Sequence, residues 1–231
     1  MTNATPHKLD IQLISRAAAG DLSRIMKLLA QGANPLAQNS RALREAAEHG
    51  HFECASLLIP LSDPRAPNSY GLQLASMNGH IACVEMLIPL SDPRSDDSLA
   101  LYWAAKNGHL ECMSRLIPVS NPSHALLIAA RDGPEACLRL LLPLRDSDAL
   151  LGQALGLAAD NGHVDCVIAI GEAAPDSVCS WDVSALAKRA EANGHLDLGT
   201  YFRSIAEQRH LLDSVPALAA MAMAAARSAR I

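Results

Sequence analysis

The sequence predicts an all-α solenoid of about seven helix–turn–helix units, and three observations carry that expectation. Half of the 231 residues are apolar, mostly Ala and Leu, while aromatic residues make up only 3%, a composition suited to closely packed helices rather than to a sandwich or barrel. Near-copies of one segment recur along the chain: AAEHGHFECASLLIPLSDP, ASMNGHIACVEMLIPLSDP, AAKNGHLECMSRLIPVSNP and AADNGHVDCVIAIGEAAPD, with AARDGPEACLRLLLPLRDS of the same kind. Their shared glycine stands at Gly20, Gly50, Gly79, Gly108, Gly133, Gly162 and Gly194, a period of about 29 residues, and such self-similarity is the signature of a stacked repeat architecture. The units span from about Ile11 to about Leu212, leaving residues 1–10 as a flexible start and residues 213–231 as an Ala- and Met-rich helix or tail.

Each unit reads as helix, tight turn, helix and loop. The first helix carries a Leu seven residues before the glycine (Leu13, Leu43, Leu72, Leu101, Leu126, Leu155) and small pairs such as Ala46 with Ala47 or Ala104 with Ala105, which let neighbouring helices approach closely. Asn78, Asn107, Asn161 and Asn193 each precede a marker glycine, a pair suited to a turn in which glycine takes positive φ and ends the helix. The second helix puts Phe52, Cys54, Leu57 and Leu58, or Ile81, Cys83, Met86 and Leu87, at the spacing of one buried face, until Pro60, Pro89, Pro118 or Pro143 stops it. Polar replacements at the two ends, Arg16 and Arg24 in the first unit and Lys188, Arg189 and Glu191 in the last, suit terminal units with one face in water. After Leu212, Asp213, Ser214 and Pro216 read as a helix start, followed by Ala, Met and Leu up to Arg227 and Arg230.

On the alanine pair, the Gly-His turn and the double-Leu second helix, the units resemble ankyrin repeats. The resemblance covers the seven units and implies a module for protein–protein interaction, acting as a scaffold or adaptor. Two departures stand out. The family's Thr-Pro-Leu-His signature is replaced by Arg41 to Arg44, Tyr70 to Gln73 and Leu99 to Tyr102, with only the Leu kept. The unit is also about four residues shorter than the 33 of the family, so the projecting fingers are expected to shrink to turns built on Ser62-Asp63-Pro64 and Ser91-Asp92-Pro93.

Composition excludes several functions. A net charge of −5 with no basic run argues against nucleic acid, and no stretch is long and apolar enough to span a membrane or serve as a secretory signal. The expectation is a monomeric cytoplasmic protein, with export as an effector left open by the polar start. His51 with Cys54, His80 with Cys83, His109 with Cys112 and His163 with Cys166 have a spacing that can bind metal, but equivalent residues in stacked units are about a helix diameter apart, too far for one zinc. The cysteines are read as small buried hydrophobes and the histidines as capping and turn residues, with no metal, cofactor or disulfide; Cys179 alone lies outside the ladder. With no nucleophile elbow, phosphate loop or dinucleotide fingerprint, no catalytic residue is assigned and the chain is read as not an enzyme.

What varies between units points to the surface. The resemblance places partner contacts on the concave side, at the ends of the first helices and the loop tips. The variable positions there are Arg44, His49, Gln73, Met77, Tyr102, Lys106, Arg131 and Asp160, with Tyr102 a candidate anchor and Trp103, on a Leu position, read as core. The leading expectation is recognition of a protein or peptide through that face. The alternative is an inhibitory or structural cap held in a complex, and the minor one is a metal or redox sensor using the His and Cys ladder.

Overall fold

A computed structural model describes residues 8–145, 147–174 and 181–208. It contains seven helix pairs: α1 (Lys8–Ala18) with α2 (Leu22–Ala30), α3 (Ala37–Glu48) with α4 (Phe52–Leu58), α5 (Tyr70–Met77) with α6 (Ile81–Leu87), and α7 (Ser95–Lys106) with α8 (Leu110–Leu116). The remaining three are α9 (Pro122–Asp132) with α10 (Glu135–Leu141), α11 (Asp148–Asp160) with α12 (Val164–Ala173), and α13 (Val183–Ala192) with α14 over residues 196–208. First helices stack on first helices and second helices on second helices, so the molecule is two parallel rows joined within each pair. No strand occurs among the described residues, and the expected all-α solenoid is what forms.

Local chemistry explains why each pair folds back on itself. The first helix ends in a Schellman turn: in the fourth unit the His109 N–H donates to the Ala104 carbonyl at 2.9 Å and the Gly108 N–H to the Ala105 carbonyl at 3.2 Å. That turn needs a left-handed residue, and Gly108 supplies it at φ 76°. The fifth unit differs because Pro134 has no N–H to give, and α9 closes through the single bond from Gly133 to Ala129 at 3.0 Å.

The core runs along the seam between the rows. Leu13, Leu43, Leu72, Leu101, Leu126 and Leu155 are all 2% exposed or less, and the alanine pairs beside Leu43, Leu101, Leu126 and Leu155 are fully buried. In the second helices the buried stripe is narrower than the sequence suggests. Cys54, Ala55 and Leu58 are buried, as are Cys83, Val84 and Leu87, but Phe52 is 41% exposed because the first residue of the helix lies on its shoulder. Pro60, Pro89, Pro118 and Pro143 do not follow a plain helix end. Each sits inside a short 3₁₀ turn (Ile59–Leu61, Ile88–Leu90, Ile117–Val119, Leu142–Leu144), since a residue lacking an N–H is tolerated where the helix tightens.

The shortened fingers are indeed turns, and they are tied by a serine ladder. Ser40, Ser69 and Ser98 are almost fully buried at the starts of α3, α5 and α7, and each hydroxyl oxygen accepts the backbone N–H of the following loop, from Asp63 (2.8 Å), Asp92 (2.7 Å) and Asn121 (2.8 Å). These serines and the Asn39, Asn68 and Asp97 before them take left-handed backbone angles, a conformation that Asn and Asp tolerate best among residues with a side chain. The terminal units carry exposed charge as expected, with Arg16, Arg24, Lys188 and Arg189 all on the surface. Helix α1 begins at Lys8, and the segment after Leu212 lies outside the described residues.

Candidate partner-binding surface

The variable positions lie on the row of first helices, close to the turn that ends each one. The fourth and fifth units bring three of them together. Tyr102 on α7 packs edge-on against Trp103 (centroids 5.0 Å apart) and against His124 on α9 (5.3 Å). The Lys106 ammonium stands 5.0 Å from the Trp103 ring centroid and 6.0 Å from that of Tyr102, within cation–π range. Arg131 on α9 binds Asp132 through both carboxylate oxygens, Nε to Oδ1 at 2.7 Å and a terminal nitrogen to Oδ2 at 3.1 Å. That bidentate bond holds the Asp132 carboxyl below its usual range and raises the pKa of Arg131, with Tyr102 nearby adding to the rise. Lys106 is exposed, and Tyr102, Trp103 and Arg131 are half-buried. Trp103 is therefore not core: it leaves the Leu pattern and joins the surface cluster.

The other predicted residues are spread along the row. Arg44 donates to the Gln38 carbonyl at 2.9 Å and lies 5.6 Å from the Tyr70 ring centroid. Its Nε is buried without a hydrogen-bond partner among the described residues, and desolvation is the main cause of its lowered pKa. His49 is exposed, donates from Nδ1 to the Glu45 carbonyl at 2.9 Å, and stacks on His51. Met77 is half-buried and Asp160 pairs with Arg189 of the last unit through both carboxylate oxygens. Gln73 does not belong to the surface. It is 4% exposed, and its amide donates to the Asn68 carbonyl (2.9 Å) and to Asp96 Oδ2 (3.3 Å), so it fastens the loop ahead of the next unit.

The histidines do something the sequence did not reveal. They occupy the N-cap position of the second helices, yet their side chains make no capping bond. Instead the ring crosses to the previous unit: Nε2–H donates to the carbonyl of Ala18 from His51 (3.0 Å), of Met77 from His109 (3.0 Å), of Arg131 from His163 (2.8 Å) and of Asp160 from His195 (3.2 Å). A carbonyl only accepts, so Nε2 carries the proton and Nδ1, which keeps the lone pair, faces the glycine of the preceding unit. The partnering cysteines are buried, and burial pushes the thiols of Cys83, Cys112 and Cys166 up to about 11 from the ordinary 9.0. Cys179 lies outside the described residues. Glu45, Glu48 and His49 place ligand atoms within 4.8 Å of one another at the end of α3, where Glu45 is already bonded to Arg41.

The packing of a histidine ring over the preceding unit's glycine, which His80 also makes over Gly50, is interrupted once among the interior units. Pro134 replaces the histidine of the fifth unit, and a side chain added at Gly108 would meet nothing within 4 Å, whereas one at Gly79 would meet the His109 ring at 2.6 Å. The gap falls beside Lys106 and Arg131, at the same junction as the aromatic cluster. No helix among the described residues is long and apolar enough to cross a membrane.

A family model described as ankyrin repeats matches residues 13–97, 43–124, 72–151 and 101–178, overlapping spans that together cover most of the chain. Among solved structures, the human ASB11 ankyrin repeat domain is similar at 27% identity and a TM-score of 0.62, over 70% of this chain and 82% of that one. No curated protein gives a significant match to the sequence.

Proposed function

Because the chain belongs to the ankyrin-repeat family, whose members are generally protein–protein interaction modules, we propose that it binds a partner protein through the row of first helices, the concave side of such a stack. The observation that carries this reading is the cluster of Tyr102, Trp103, Lys106, His124 and Arg131 at the junction of the fourth and fifth units. In a chain with two Trp, three Tyr and two Phe, two of the rings are placed at the surface here beside two cations, the residue types that dominate binding hot spots. The histidine clamp is absent at the same junction, so scaffold regularity gives way where the recognition chemistry gathers.

Capture of partners with the full chain, followed by titration of Tyr102→Ala, Lys106→Ala and Arg131→Ala, tests the proposal. Truncating an anchor is expected to cost about 2 kcal/mol or more in binding, against about 0.5 kcal/mol or less in stability for surface changes. Wild-type affinity in all three variants would move the site to another face. An activity assay on the captured partner then separates recruitment from inhibition.

A further inference from the structure

A mainly apolar cavity of about 430 Å³ opens on the other row of helices, between α12 and α14. Val167 and Ile168 form one wall, Tyr201, Phe202 and Ile205 the other, and Trp181 closes an end. Three of the chain's seven aromatic rings therefore surround one hollow in the last two units, and Tyr201 is left 37% exposed. Among the described residues Glu172 is the one charge in its wall, and it is paired with Arg139 at 2.9 Å. The end of a repeat stack needs a polar outer face or a cap, and beside the exposed Lys188 and Arg189 the last described unit presents aromatic surface.

We propose that residues 217–226 of the same chain fill this cavity and cap the stack. The length of chain available suits the task. Gln208, the last described residue of α14, is only three positions beyond Ile205, and residues 209–216 span at most roughly 29 Å when extended, enough to reverse direction and return along α14. The ten residues that follow would make a helix about 15 Å long, the same length as the ten-residue α12 that forms the opposite wall. Their pattern is suited to such a groove: Leu218, Met221, Ala222 and Ala225 recur at the spacing of one helical face. Alanines allow close approach to the aromatic wall, and methionine packs favourably on aromatic rings. No charge interrupts the segment until Arg227 and Arg230.

The test uses the full chain with isotope-labelled methionine methyls. The Met221 methyl is expected upfield of a solvated methionine, displaced by ring currents, with nuclear Overhauser contacts to the Trp181 and Tyr201 rings. In Leu218→Asp/Met221→Asp, whose changes lie outside the seven units, the contacts should vanish, the Trp181 indole signal should move and the melting temperature should drop. Methyls at solvated positions without contacts, together with an unchanged Trp181 signal and melting point in the variant, would overturn the proposal. So would contacts that fade on dilution, because they would assign the cavity to a second copy of the chain.

Discussion

The imidazole of His109 lies over Gly79 of the preceding unit, its Nε2 3.0 Å from the Met77 carbonyl oxygen, in the space that a methyl group on Gly79 would need. The glycine thus meets two demands at once. It takes a left-handed backbone angle, φ 75°, and it leaves room for a ring from the next repeat.

The two demands can be measured apart. Gly108 has nearly the same backbone angle, φ 76°, but no neighbouring ring, so Gly108→Ala should cost only the left-handed term of about 1–2 kcal/mol. Gly79→Ala should cost that plus an overpacking term of about 1–3 kcal/mol, because the His109 ring must move and surrender its bond to Met77. Denaturant unfolding of both variants decides it, and equal losses would show that the clamp contributes nothing.

Gln73→Ala is expected to weaken folding by about 0.5–1.5 kcal/mol, since it removes the buried amide's bonds to the Asn68 carbonyl and Asp96, which keep Ser95 and Asn68 as donors. The conservative Gln73→Glu should be worse, placing a carboxylate against that of Asp96 and against a carbonyl oxygen. A surface role for Gln73 would instead give melting temperatures close to wild type in both variants.

Leu101→Ala should loosen the stack by roughly 2–5 kcal/mol, the range for emptying a fully buried leucine site. Paired with Lys106→Ala, five positions along α7, it separates core from surface on one helix: the first should melt early, the second should not.

The buried thiols carry a pH signature. Folding raises the pKa of Cys83, Cys112 and Cys166 from 9.0 to about 11, and that of Cys54 and Cys137 in the same direction, in each case chiefly through burial. The native state then holds its thiol protons more tightly than the unfolded chain does. The stabilisation is full below the unfolded value near 9 and is lost as pH rises through about 11. The melting temperature should fall across that window, with these five thiols alkylated slowly in native buffer and fast in denaturant. Alkylation of the folded protein at the rate of free cysteine would contradict their burial.

Part of the candidate surface was legible in the sequence and part was not. Tyr102, Lys106 and Arg131 stand out because they interrupt an otherwise regular repeat, and they do converge. Gln73 and Trp103 were misplaced by the same rule, since position in a repeat does not report what the neighbouring repeat offers. Gln73 finds Asn68 and Asp96 and goes inside, while Trp103 finds Lys106 and stays half out. The serine ladder did leave a trace, an Asn or Asp before each of Ser40, Ser69 and Ser98, which is a left-handed signal in residues with a side chain.

By itself the sequence determined the seven units, their helices and their glycine turns, because these depend on interactions within about five residues: a missing Cβ, a Schellman bond, an apolar stripe. Only the tertiary structure decided what the histidines do. His51 bonds to Ala18 and His163 to Arg131, partners more than 30 positions earlier in the chain, and a side chain at a helix entrance can satisfy either its own helix or the unit before it. Stacking settles that choice, because packing one unit on the next brings a carbonyl and a bare glycine to the imidazole at a distance that no local pattern encodes.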